Sequence, residues 1–176
     1  IAPAVALGAV LAIGVALLTG RLTGVTVDAE ARTARIEAGA KWAAVLPVAQ
    51  QHGLAPLLGS TTDVSAVGYT LGGGLGGLGR RHGLCSDSVR SFELVTPDGL
   101  ELTASAAVNP ELFWALRGGG AGAFGVVTAM TIELYPVSTV YAGNLFYPVE
   151  LAGDVIRRFR DWTVGLDERM TSSVLV

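Results

Sequence analysis

The sequence has little of the residue types that hold metals or form disulfides. Cys85 is its only cysteine, and His52 and His82 are its only histidines. One cysteine excludes an internal disulfide framework and any zinc site built from several thiolates. We therefore predict no metal centre, and we interpret Cys85 as an inert turn or core thiol.

Charged residues are also sparse, at 15% of the 176 residues, and the net charge is −3. No cluster of lysine and arginine is interleaved with aromatic residues, which argues against nucleic acid as the main partner. The 51% hydrophobic content is typical of a globular chain with one sizeable core.

Residues 1–19 contain no charge at all. Such a run is typical of a membrane span or a signal sequence, but the basic start of a signal sequence is missing. Gly8 and Gly14 interrupt the run as they would a buried strand-turn-strand unit, which we favour over a membrane anchor. The start at Ile1 and the apolar stop at Val176 lead us to expect a fragment of a longer protein.

Alternating and helical patterns follow. Gly24–Val27 and Thr33–Glu37 predict a β-hairpin around an acidic turn, and Lys41–His52 has apolar residues at helical spacing. Val89–Val95 and Leu100–Ala104 flank a Pro-Asp-Gly turn and predict a second hairpin.

A helix and a further strand follow the second hairpin. Asn109 precedes a proline and an acid, the order that favours a helix start, with Asn109 as the N-cap. Arg117 before Gly118 predicts the end of this helix. Val126–Leu134 alternates as a strand.

The stretch Gly59–Gly79 is rich in glycine, and Asp63 is its only charge. Because glycine loses much conformational freedom on folding, this density indicates positive φ angles or a backbone lying close to a neighbour or ligand. Gly74–Gly79 matches GxGxxG, but Gly83 breaks the helix that a Rossmann turn needs next, so that interpretation fails. A second cluster at Gly118–Gly125 suggests the opposite wall of one extended ligand site.

Several short motifs in and around these clusters carry the most specific signal in the chain. In chain order they are Gly59-Ser60, Val67–Gly74, Arg81–Leu84, Glu93–Gly99, Asn109–Gly120 and Phe124–Thr128. Together they closely resemble the FAD-binding domain of the berberine-bridge-enzyme-like oxidoreductases, in the vanillyl-alcohol-oxidase or PCMH-type flavoprotein superfamily. The resemblance extends from about Gly20 to Pro136.

The resemblance implies an α+β fold in which two α/β subdomains hold an extended FAD and a substrate domain covers its isoalloxazine ring. We place the PCMH-type FAD-binding domain at residues 1–137, with its N-terminal part missing, and the start of the substrate domain at residues 138–176. There we expect strands at Tyr141–Tyr147 and Thr171–Val176 around an amphipathic helix at Asp154–Val164.

Carried over residue by residue, the family's FAD site falls mainly on backbone. The loop at residues 59–64 would lie by the isoalloxazine and ribityl groups, Gly68 and residues 72–74 by the ribityl and phosphate groups, and the second cluster by the adenosine. Backbone N–H groups can hold a diphosphate without lysines. We interpret Tyr69 mainly as a half-buried strand residue. The predicted cofactor-binding residues are Gly59, Ser60, Thr61, Thr62, Val64, Gly68, Tyr69, Gly72, Gly73, Gly74, Gly122, Gly125 and Val127.

Two covalent anchors of the family have no counterpart here. The family's histidine turn would fall near residues 7–10, where Ala9 is the nearest match, and its anchoring cysteine maps to Thr61. Cys85 comes too late in the chain to replace that cysteine. We therefore expect FAD to be held non-covalently, and Ala123 stands where the family often has an asparagine.

The resemblance implies an FAD-dependent oxidoreductase that moves a hydride from a carbon bearing a hydroxyl or amine to flavin N5. A small molecule would be the substrate and dioxygen the usual acceptor. The family's catalytic base belongs to the part of the substrate domain absent from this sequence, so no catalytic residue is predicted. Two alternatives stay open: a flavin-free binding or structural member of the same fold, and a membrane-anchored protein that uses residues 1–19.

Overall fold

The computed structural model describes residues 18–119 and 122–176. The strand-turn-strand unit expected in the uncharged run, and the family's histidine position near residues 7–10, lie outside the described residues. Among the residues described, no helix has both the length and the apolar character needed to cross a membrane.

One antiparallel sheet of five strands organises this part of the chain. The strands lie in the order β1-β2-β5-β3-β4, so the last strand sits in the centre between two hairpins. Both predicted hairpins and the strand predicted at Val126–Leu134 are confirmed. The strands are β1 Val25–Asp28, β2 Thr33–Glu37, β3 Val89–Val95, β4 Glu101–Ser105 and β5 Val126–Glu133.

Alternation along the strands turns one face of the sheet toward the core. In β2, Ala34 and Ile36 are fully buried while Arg35 between them is exposed. The buried face meets large side chains from neighbouring elements, including Trp42 and Leu116. Burial of these apolar side chains is the main stabilising contribution to the fold.

Five α-helices accompany the sheet in residues 18–119 and 122–176. On the core side, α1 packs against β1, α2 against β2 and β5, and α4 against β3 and β4. The helices predicted from apolar spacing are confirmed as α1, α4 and α5. The bounds are α1 Trp42–Gln50, α2 Ala66–Leu71, α3 Gly79–His82, α4 Pro110–Gly119 and α5 Ala152–Thr163.

Helix α2 lies inside the stretch that the sequence pattern treats as a glycine-rich loop. Its N-cap is Ser65, whose side-chain oxygen accepts a hydrogen bond from the Gly68 N–H at 3.2 Å. Tyr69 therefore lies on a helix, and the interpretation of Tyr69 as a strand residue is wrong. The cap and the packing of Val67 and Leu71 outweigh the low helix propensity of the internal glycine.

Helix α4 begins and ends at the predicted residues, but the Asn109 side chain does not cap it. The Asn109 carbonyl accepts the Phe113 N–H at 3.0 Å, while the Asn109 side chain donates to the Thr103 carbonyl at 2.8 Å. Regular helix stops at Arg117, and Gly118 has a φ of 102°, a conformation that glycine adopts readily.

The C-terminal segment differs from the prediction in its strands. The expected helix is confirmed as α5, but Tyr141–Tyr147 and Thr171–Val176 form no strands. A strand needs a neighbour to complete its backbone hydrogen bonds, and the described residues provide none beside either segment. The α+β fold class is confirmed, and the domain boundary near residue 137 stays a prediction.

One guanidinium connects this C-terminal segment with α3. Arg80 donates hydrogen bonds to the carbonyls of Leu166 at 3.0 Å and Met170 at 3.2 Å, both in the turn that follows α5. The turn is closed by the Met170 N–H, which donates to the Asp167 carbonyl at 3.0 Å. Arg80 thus joins two regions that are far apart in the sequence.

Candidate functional site

A pocket of about 240 Å³ lies between α2 and the start of β5. It brings together four of the predicted cofactor-binding residues, which come from both glycine clusters: Gly68, Gly122, Gly125 and Val127. Its walls consist of backbone and small or aliphatic uncharged side chains. The full lining is Thr19, Ala38, Ser65, Val67, Gly68, Leu71, Gly122, Gly125, Val126 and Val127.

The α2 wall of the pocket is built from the capped first turn of that helix. The Ser65 hydroxyl accepts from the Gly68 N–H and donates to the Ala38 carbonyl, each at 3.2 Å. Beside it, the Lys41 ammonium contacts the Asp63 carboxylate at 2.5 Å and lowers the pKa of that carboxyl. These contacts fix the start of α2 against the segment that follows β2.

The β5 wall depends on glycine backbone. Gly125 has a φ of 149°, and a Cβ atom there would lie 2.5 Å from the Val95 carbonyl oxygen. The chain therefore needs glycine at this position to enter β5 beside the end of β3. Gly122 has a φ of 76° with open space around the position of a Cβ atom. Its bare backbone is accessible from the pocket.

The two glycine clusters also approach each other outside the pocket. A Cβ atom on Gly118 would lie 3.7 Å from the Cα atom of Gly73. Gly73 itself is buried and has a φ of 101°. The end of α4 and the end of α2 are therefore in near contact, as expected for two walls of one cleft.

Two of the predicted glycines, Gly59 and Gly74, face the ring of Tyr69 instead of the pocket. Cβ atoms on Gly59 and Gly74 would lie 3.1 Å and 2.6 Å from ring carbons of Tyr69. The ring meets Trp42 edge to face, with 5.9 Å between ring centroids. In the part of the chain that the structure describes, the buried Tyr69 hydroxyl has no hydrogen-bond partner. Burial is the main cause that raises the pKa of Tyr69.

The remaining predicted residues lie outside the pocket lining. Ser60, Thr61 and Thr62 form an exposed loop, and Val64 is half-buried. This loop is tied to the start of α1, because the Thr62 carbonyl accepts the Ala43 N–H at 2.9 Å. Gly72, at the end of α2, is exposed.

Cys85 is fully buried, as predicted for a core thiol. Its sulfur lies 3.1 Å from the Thr70 hydroxyl, and burial is the main cause that raises the pKa of the thiol. Nearby, Asp87 caps the turn that follows Leu84, because its carboxylate accepts the Leu84 N–H at 2.8 Å. Neither side chain lines the pocket.

Sequence reasoning missed three polar or small residues of the pocket, namely Thr19, Ala38 and Ser65. A serine directly before the short apolar run of α2 is a recognisable N-cap signal, so the role of Ser65 could have been predicted from the sequence. Thr19 and Ala38 carry no local signal, because they reach the pocket through the pairing of distant segments.

The pocket is suited to binding rather than to acid–base chemistry. Its lining contains no ionisable side chain among the described residues, and those residues hold no cluster of potential metal ligands. No lining carboxylate repels an anion, and Gly68 and Gly122 present backbone without an intervening side chain. This arrangement can hold part of an extended, partly apolar anionic ligand.

Residues 4–105 match the model of a family described as an FAD binding domain. The FAD-linked oxidoreductase YgaK of Bacillus subtilis is 35% identical over 165 residues. That match covers 92% of this chain and 37% of YgaK, so the chain spans little more than a third of this relative.

Two solved structures have the same fold over about two thirds of this chain. The 6-hydroxy-D-nicotine oxidase of Arthrobacter nicotinovorans has a TM-score of 0.63 and 37% identity, covering 65% of this chain and 25% of that protein. The BBE-like 1 protein of Physcomitrella patens has a TM-score of 0.61 and 29% identity, covering 66% of this chain and 25% of that protein.

The pocket fits the cofactor of this family. Its uncharged lining and bare glycine backbone suit a dinucleotide, and its volume of about 240 Å³ accommodates part of an extended FAD. The family match covers more than half of the chain, and the similarity to YgaK covers most of it. The chain therefore belongs to the FAD-linked oxidoreductases that share this FAD-binding domain, and FAD is its cofactor.

Proposed function

We propose that this chain forms the FAD-binding part of a berberine-bridge-enzyme-like oxidase. The reaction would be hydride transfer from a carbon next to a hydroxyl or amine of a small molecule, with dioxygen as the final electron acceptor. The observation that carries this proposal is the pocket where Gly68 meets Gly122, Gly125 and Val127. The similarity to proteins described as an oxidase and as BBE-like supports the finer assignment.

Within this proposal, different segments of the chain contact different parts of the cofactor. Gly122, Gly125 and Val127 hold the adenosine half, and Gly68 with residues 72–74 lies along the ribityl and phosphate groups. The loop at residues 59–64 lies beside the isoalloxazine ring. The bound flavin supplies the hydride acceptor. The backbone of these segments orients the cofactor, and their apolar neighbours exclude water from it.

We propose that FAD is held non-covalently. Thr61 occupies the family's cysteine position, and a hydroxyl there is a far weaker nucleophile than a thiol. Cys85 is fully buried and its thiol pKa is raised, so its sulfur is not available to an external ring. The family's histidine position near residues 7–10 lies outside the described residues.

The cofactor proposal is tested by absorption spectroscopy of the purified chain. We expect visible flavin bands, either at once or after incubation with excess FAD, and complete release of the yellow colour on denaturation. Absence of flavin bands after incubation contradicts the proposal and favours a flavin-free member of the fold. Colour that stays on the denatured chain contradicts non-covalent binding.

The reaction itself is tested on the intact protein, because this chain spans little more than a third of YgaK. A panel of alcohols and amines is added without oxygen, and bleaching of the flavin identifies a substrate. Readmission of oxygen should restore the absorbance with formation of hydrogen peroxide. A flavin that bleaches but is restored only by an artificial acceptor indicates a dehydrogenase and contradicts the oxidase assignment.

A further inference from the structure

The hydroxyl of Ser65 acts both as a hydrogen-bond acceptor and as a donor. Its oxygen accepts the Gly68 N–H, and its proton is donated to the Ala38 carbonyl, each at 3.2 Å. The backbone directly after Ser65 is held as well, because the Ala66 N–H donates to the Ala40 carbonyl at 3.0 Å. Ser65 therefore connects the first turn of α2 with the segment directly after β2.

Ala38 carries this connection to the opposite wall. Its N–H donates to the Thr128 carbonyl in β5 at 2.9 Å. Thr128 directly follows the pocket residue Val127, and its hydroxyl donates to the Glu93 carbonyl of β3 at 3.2 Å. A continuous series of hydrogen bonds thus runs from Gly68 through Ser65 and Ala38 to β5 and on to β3.

This series lies in the pocket itself, since Ala38, Ser65, Gly68 and Val127 all line it. Each hydrogen bond has a narrow range of favourable lengths and weakens as the distance grows. The series therefore fixes the separation of the α2 wall from the β5 wall. A ligand held by backbone groups on both walls is sensitive to that separation, because it has no flexible side chains to follow it.

We propose that Ser65 is a positioning residue that sets the width of the FAD pocket by joining its two walls. The proposal rests on the proposed function of the pocket. Ser65 acts through Gly68 on one side and Ala38 on the other. Loss of the hydroxyl leaves the Gly68 N–H and the Ala38 carbonyl without these partners and lets the walls separate.

The variants Ser65→Ala, Ser65→Gly and Ser65→Thr separate this role from simple helix capping. Alanine removes both hydrogen bonds and the cap, whereas glycine removes both hydrogen bonds but is nearly as good an N-cap as serine. We expect Ser65→Gly to lower the melting temperature less than Ser65→Ala does. Its FAD dissociation constant should still rise by roughly fivefold to tenfold. Threonine keeps the hydroxyl and should restore the affinity to within about twofold.

Ser105→Ala is the matched control. The Ser105 hydroxyl accepts the N–H groups of Ala107 at 3.3 Å and Val108 at 3.1 Å, so it is also a capping serine. It ends β4, the strand at the opposite edge of the sheet from β1, and it does not line the pocket. We expect this variant to lower stability without changing FAD affinity.

The measurements are FAD affinity from quenching of flavin fluorescence, the visible circular dichroism of the bound flavin, and the apoprotein melting temperature. Weaker binding and an altered flavin signal in Ser65→Gly, restored in Ser65→Thr, support the proposal. Unchanged affinity in Ser65→Ala and Ser65→Gly overturns it, as does an equal loss of affinity in Ser105→Ala. Failure of the original protein to take up FAD contradicts the proposed function and this inference together.

Discussion

Arg35 on β2 reaches across the central strand β5 to the carboxylate of Glu93 on β3. Its Nε donates to Oε1 at 2.8 Å and its Nη2 to Oε2 at 2.6 Å, which is a two-pronged ion pair. The register places Arg35 beside Thr131 and Glu93 beside Ala129 of β5. The pair links the two hairpins on the face of the sheet opposite the core.

This pair predicts a pH-dependent contribution to stability. The hydrogen bond from Arg35 is the main cause that lowers the pKa of Glu93 below its ordinary value. The contribution is therefore complete above the ordinary glutamate pKa and is lost as the pH falls through the lower pKa of the folded state. In urea titrations, we expect Glu93→Gln to lower the unfolding free energy near neutral pH by at most about 1 kcal/mol, because both side chains are partly exposed.

The control for this prediction is Glu101→Gln on the edge strand β4, where the side chain is exposed. The difference between the original protein and Glu93→Gln should vanish in acid, well below the ordinary glutamate pKa. A difference that stays constant from neutral to strongly acidic pH would show that the ion pair is not its source.

From the surroundings of Tyr69 we expect two substitutions to have different effects on the free energy of unfolding. Because its buried hydroxyl has no partner among the described residues, Tyr69→Phe should leave the free energy of unfolding unchanged or raise it by up to about 1 kcal/mol. Gly74→Ala should lower it by about 2 kcal/mol or more, since the new methyl would meet the ring at 2.6 Å and φ is 76°. Chemical denaturation of the apoprotein measures both. A large loss in Tyr69→Phe would reveal an unrecognised partner of the hydroxyl.

The β5 wall of the pocket should require glycine at position 125. Gly125→Ala would bring a methyl group to 2.5 Å from the Val95 carbonyl oxygen at a φ of 149°. We expect a loss of about 2 kcal/mol or more in the free energy of unfolding, since the contact is with backbone. Gly143→Ala is the matched control, because no atom lies within 4 Å of the added methyl. Equal stability of the two variants in thermal denaturation would refute the close approach.

The hydrogen bonds of Arg80 should stabilise α5 and the turn that follows it. Arg80→Gln removes a guanidinium that donates to the Leu166 and Met170 carbonyls, so amide hydrogen exchange in residues 152–170 should become at least about fivefold faster. Arg81→Gln on the same short helix is the control and should leave exchange there unchanged. Similar acceleration in both variants would indicate a general effect of lost charge.

The local structure of the sheet was predictable because its signals are local. Alternation in Thr33–Glu37 and the turn chemistry between β3 and β4 specify both hairpins without knowledge of their neighbours. The strands predicted at Tyr141–Tyr147 and Thr171–Val176 have similar composition but no partner among the described residues. Strand formation there depends on pairing, which the segment alone does not encode.

The candidate site was predictable in part. The glycine clusters predicted two walls of one site, and the family resemblance assigned Gly68, Gly122, Gly125 and Val127 to it. These four residues do line one pocket. Helix α2 was missed because Gly68 and the glycines after it hide its short apolar pattern. Ala38 enters the pocket because β5 inserts between β2 and β3, a long-range arrangement that no local pattern reports.

The contacts of the Tyr69 ring make the choice of amino acid at three positions interdependent. Cβ atoms on Gly59 and Gly74 would lie 3.1 Å and 2.6 Å from carbons of this ring. Replacing the tyrosine with alanine would relieve that crowding at Gly59, so alanine there should cost less in the double variant than in the single one. These positions should therefore covary during evolution. Part of the glycine content of this stretch is explained by the lack of space for side chains beside one aromatic ring.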